Sequence, residues 1–208
     1  MARPFGVTCR ALPASIFLLS TLFGQTAQYP DESAGGLVER FENTTVFWRQ
    51  FEVAKKIVAL HDKSVLLQLE PWLRCEDMHL RGNAGFVFAS LGDDRGFLVI
   101  KAVLEDRSTH RAVFVFDDAG HPSPGRQIRE DCYYAAHLFG DLRDVRAVPI
   151  LVPLLKVEEA KLAVAWSLGE IGDKSAIPPL LEALPDNSLD MRASALRSVE
   201  KLEAKGLP

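Results

Sequence analysis

The sequence predicts an all-α fold, an α-solenoid of about four stacked helix pairs with a terminal helix. Two observations predict it. Residues 161–184 repeat the pattern of residues 132–155 at an offset of 29 residues, with Gly140 on Gly169, Asp144 on Asp173, Ala147 on Ala176, Pro149 on Pro178 and Leu151 on Leu180. The same frame, with an aspartate between two apolar helical patterns, recurs at Asp62 and Asp93. A period of this size marks units that bury their apolar faces only by stacking on one another.

The chain opens on a targeting signature. Arg3 and Arg10 precede the apolar run 14–23, and Gln25-Thr26-Ala27 supplies small residues for cleavage. This reads as a secretory signal peptide over 1–27, cut between about residues 24 and 34, and implies a periplasmic or secreted protein with no membrane span once cleaved. An uncleaved signal anchor is the alternative. Residues 28–43 read as a linker and N-terminal cap. The repeat domain then spans 44–204.

Within it, residues 50–73, 81–104, 132–155 and 161–184 each form one helix pair, and 192–202 supply a last first helix. In the fourth unit Val164, Ser167, Leu168 and Ile171 share one helical face. Gly172 stops that helix and Asp173 caps the next. Pro178 and Pro179 lie in the first turns of the second helix, where an amide is least missed, whereas Pro149 and Pro153 lie deeper and predict a bent helix. The aspartate spacings, 31, 51 and 29, place an insertion at 106–130. Its Val-Phe-Val-Phe stretch either lengthens the preceding helix or folds back as an extended strand. The aromatic residues Phe41, Phe47, Trp48 and Phe51 read as a cap over the first unit.

The stretch 161–184, a basic residue followed by spaced alanines, Leu-Gly-x-Ile-Gly-Asp and then Ala-Ile, resembles the short HEAT-like repeats of the phycobilisome-lyase type. The resemblance covers about 44–204 without the insertion, and 81–104 is its next clearest copy. It implies a fold and brings no activity with it, as for the uncharacterised bacterial HEAT-repeat proteins that the chain also looks like. Longer HEAT repeats carry a basic residue six positions after the turn aspartate. Those positions here are Gln68, Val99, Ile150 and Pro179, so the aspartate–arginine ladder of that class is not expected.

Composition excludes several functions. The chain has 24 basic and 28 acidic residues, a net charge of −4, and no basic run, which argues against nucleic-acid binding. The frame puts Cys75 and Cys132 a whole repeat apart, too far for a disulfide. Related HEAT-like proteins hold a di-iron centre through His-Glu pairs. Here the histidines read His61-Asp62, His79-Leu80, His110-Arg111, His121-Pro122 and His137-Leu138, so neither a metal nor another cofactor is expected. No Gly-x-Ser-x-Gly elbow and no glycine-rich phosphate loop occurs, so no catalytic residue is assigned.

What remains is surface. Positions 2, 6, 9 and 13 after the turn aspartate should share one stripe on the second helices, which HEAT-like arrays turn to their concave face. Its middle is apolar, with Val99, Ala102, Ile150, Pro153 and Val157, and Arg95 and Arg146 stand at its edges. A solvent-facing stripe of this kind is a groove for a peptide or protein partner. If the faces are misassigned by one position, the same residues are core. The functional expectation is an exported, non-enzymatic protein-interaction scaffold. A HEAT-like lyase or metal-dependent oxygenase accessory, and a structural envelope component, are the alternatives.

Overall fold

The computed structural model describes residues 32–108 and 115–204. The expected signal segment lies outside the described residues. Helix α1 (Ala34–Asn43) is capped by Ser33, whose hydroxyl accepts the Gly36 amide, and packs across α2 (Phe47–Ala59). The first helices of the units are α2, α4 (Met78–Ser90), α6 (Pro124–Leu142) and α8 (Lys161–Ile171), and α10 (Leu189–Ala204) follows them. Each packs on the next, α2 on α4, α4 on α6, α6 on α8 and α8 on α10. This serial contact is the stacking that the period implies.

The second elements are shorter and more broken. Residues 63–74 hold a 3-10 turn, the helical turn α3 (Leu66–Leu69) and a second 3-10 stretch. Helix α5 (Asp94–Glu105) is regular. In the third unit the 3-10 turn Val145–Ala147 leads into α7 (Val148–Leu151) and then into the 3-10 stretch Val152–Lys156. Pro149 and Pro153 lack the amide that α-helical bonding needs, and the element breaks into 3-10 structure where the sequence predicts a bend. In the fourth unit Lys174–Ala176 precedes α9 (Ile177–Glu182), with its prolines at the helix start.

All four turn aspartates act alike. Asp62, Asp93, Asp144 and Asp173 each accept, through Oδ1, the amide two residues on, at 2.9–3.0 Å. The residue before each aspartate is left-handed, Gly92 and Gly172 in two units and His61 and Arg143 in the others, with φ of 54° and 56° for the latter pair.

The first helices approach closely at equivalent glycines. A Cβ at Gly140 would lie 2.9 Å from Ser167 Oγ, and one at Gly169 would lie 2.5 Å from Ser198 Oγ. Ser198 donates its hydroxyl to Ala165 O at 2.7 Å, so the small pair also satisfies a buried polar group.

The N-terminal units share a buried polar chain. Gln50 donates to Phe41 O, Asn83 donates to Gln50 Oε1 and to Phe47 O, and the Tyr134 hydroxyl donates to Asn83 Oδ1. Burial pushes the Tyr134 hydroxyl far above its usual range, so it remains a donor. The chain joins α1, α2, α4 and α6 and fixes their register. The aromatic residues around it are part of this packing: Phe47 stacks on His79, and Phe51 meets Phe86 edge-on.

The end of the expected insertion, 106–130, is helical. Helix α6 starts at Pro124, at the helix position where proline is best tolerated, so residues 124–130 are helical. Residues 109–114 lie outside the described residues. Phe116 and Pro122 pair as an isolated bridge around a turn that Asp117 ties by accepting the Ala119 and His121 amides. Cys75 and Cys132 are buried and not bridged to each other.

Candidate partner-binding face

The turn aspartate sets the orientation of each second element. Positions 3 and 7 after it are buried in every unit: Val65 and Leu69, Gly96 and Ile100, Ala147 and Leu151, Ala176 and Leu180. At about 100° per residue, the opposite side of the helix falls on positions 5 and 9. Position 5 is Leu67, Leu98, Pro149 and Pro178, all exposed, Leu67 at 80% and Leu98 at 61%. Position 9 is Pro71, Ala102, Pro153 and Glu182, also exposed. An apolar row therefore crosses the four units on their solvent side.

The expected stripe overlaps this row and is displaced from it. Ala102 and Pro153 lie on it. Val99 and Ile150, at position 6, are half-buried, because that position is one step from the buried seventh. Ile150 and Val157 pack against the core, and Val99 reaches the helix α4 surface, where a Cβ on Gly85 would lie 3.3 Å from its Cγ1. The most exposed position of the second elements is position 5, one step from the expected position 6.

The two arginines are exposed, yet they do not make a basic edge. Arg95 holds both oxygens of Asp93 and reaches Glu70 of the preceding unit at 2.9 Å. Arg146 holds Asp144 in the same way and reaches Asp94 of the preceding unit at 2.7 Å. Each guanidinium also lies over an aromatic ring, Phe88 for Arg95 and Phe97 for Arg146. The hydrogen bond from Arg95 holds the Asp93 carboxyl below its usual range, and Arg146 does the same for Asp144. An acid–arginine ladder thus exists at position 2, not at position 6. The Asp-x-Arg spacing was its signal in the sequence, at 93–95 and 144–146. Units one and four have Ser64 and Ser175 there and lack the rung.

Where the ladder stops, the face deepens. Between the second elements of units three and four lie two adjoining hollows of about 510 and 560 Å³. Both are lined by Val152, Pro153, Pro179 and Glu182. Pro153 of the apolar stripe borders them, as do Ser175, Pro179, Glu182 and Asp186 at the same stripe positions of unit four; that these line one hollow requires knowing which second elements neighbour each other in space.

Residues 130–200 match the family model for HEAT repeats. The segment spans units three and four and most of α10, so the HEAT-like part includes the hollows. No curated protein matches the chain. HEAT repeats generally mediate protein–protein interaction.

The histidines are dispersed. His61 is exposed at a helix end, His79 is buried against Phe47, His121 lies in the insertion turn, and His137 sits between Tyr133 and Trp166, where burial pulls its pKa down. Among the described residues no three His, Cys, Asp or Glu side chains are grouped to hold a metal ion. Burial pushes the Cys132 thiol up, away from the thiolate, although Arg107 lies 3.4 Å from its Sγ. Among the described residues no helix is long and apolar enough to cross a membrane.

Proposed function

We propose that the protein is an exported, non-enzymatic scaffold that binds a protein or peptide partner on the face of its second helices. The observation that carries the reading is the exposed row Leu67, Leu98, Pro149 and Pro178, which repeats in register and is not needed by the core. Solvent-facing apolar side chains aligned over several repeats cost solubility unless something covers them. The arginine rungs link unit one to two and unit two to three, which favours a fixed relation between those units and a lower ordering cost of binding. The charged start and the apolar run 14–23 support export.

The test compares two leucines on different layers. Leu98 lies on the second-helix row, and Leu196 is exposed on α10, a first-type helix. Leu98→Glu should abolish co-purification of the natural partner, while Leu196→Glu should preserve it. Equal retention by both variants would refute the assignment of this face.

A further inference from the structure

Resting on that reading, we infer that the hollow between units three and four takes a basic, apolar segment of the partner, with a lysine or arginine side chain set against Glu182. The apolar floor, Val152, Pro153 and Pro179, contributes hydrocarbon surface and, at the prolines, no amide donor. The charged groups lining the two hollows are Asp173, Glu182 and Asp186 against Lys156. Asp186 is held through both oxygens by Lys161 at 2.9 Å, which leaves Asp173 and Glu182 against Lys156, so the rim stays acidic.

The backbone adds to this. The carbonyl of Ser175 would accept from residue 178 in a 3-10 turn or from residue 179 in an α-helix, and both are prolines. The α-helical partner of the Pro149 carbonyl is Pro153, also without an N–H. Ser175 and Pro149 both border the second hollow. The prolines thus leave the Ser175 and Pro149 carbonyls, beside the hollow, without those helical donors. A segment that supplies donors and positive charge complements the rim. An acidic segment would meet like charges, and a polar neutral one would leave the floor without apolar contact.

The chemistry is tested with three short fluorescein-labelled peptides that share the same leucines and prolines and differ only in carrying lysine, serine or glutamate between them. Fluorescence polarisation with the folded protein should show the lysine peptide binding at least about tenfold more tightly than the glutamate peptide, with affinity falling as salt rises. Glu182→Lys should reverse that order. A lysine peptide bound equally well by Glu182→Lys sits elsewhere and overturns the inference, as does equal or tighter binding of the glutamate peptide. Failure of all three peptides overturns it too. None of these results removes the broader reading if Leu98→Glu still abolishes co-purification of the natural partner, so the two can fail separately.

Discussion

Arg146 joins two repeats through one guanidinium, which holds Asp144 of its own turn and Asp94 of the preceding unit. Arg95 does the same one unit earlier, between Asp93 and Glu70. The aspartate in each rung already caps its 3-10 turn or helix. Cap and ladder therefore share one carboxylate in each rung.

Asp144→Ala should destabilise the fold by about 1 kcal/mol, the typical loss of an N-cap, and a thermal melt measures it. Arg146→Ala should cost less, because the guanidinium is exposed and its bridge to Asp94 is screened. Added salt should narrow the gap between wild type and Arg146→Ala and leave the Asp144→Ala deficit largely intact.

The rungs also set an acid limit. Arg146 lowers the Asp144 carboxyl, and Arg95 that of Asp93, below their unfolded value near 3.8. A depressed folded pKa contributes stability that is present above the unfolded pKa and lost as pH falls through the folded one. The melting temperature should therefore fall below about pH 4. Asp144→Asn should flatten that fall; an unchanged acid slope would show that the rung does not contribute.

Gly169→Ala sets helix propensity against packing. Alanine is better by about 1 kcal/mol in an isolated helix. Here its Cβ would lie 2.8 Å from Ser198 Cβ and 3.0 Å from Ser198 Cα, so helices α8 and α10 must separate. A net loss of about 1–3 kcal/mol is expected by chemical denaturation. Ser198→Gly should recover part of it.

His61→Gly should stabilise the protein by up to about 1 kcal/mol, since a side chain in the left-handed region is strained and glycine is not. The exposed imidazole gives up little in return. A lower melting temperature for this variant would mean that His61 makes a stabilising contact that outweighs the strain.

The repeat, the caps and the helix breaks were legible in the sequence because they depend on local residues: Asp173 and Gly172 have the same roles wherever the frame recurs. The binding face was only partly legible. Position 6 looks outward if period alone is considered. Val99 and Ile150 are half-buried there because positions 3 and 7 jointly define the core side, and seeing that requires the packing of first helices on second. Ile150→Glu should accordingly cost about 1–3 kcal/mol in the isolated protein, whereas Leu98→Glu should stay within about 0.5 kcal/mol. The ladder was missed for a related reason. Asp144 and Arg146 are two residues apart, but Asp94 comes from another unit. The Gln50–Asn83–Tyr134 chain had no periodic signal at all, since each member comes from a different unit.

The most direct measurement places a photoreactive benzoylphenylalanine at Leu98 or at Leu196 and irradiates cells that produce the protein. Adducts to one partner from position 98, with none from position 196, are the expected result. Adducts from position 196 alone would place the partner on the first-helix layer and contradict the assignment of the second-helix row.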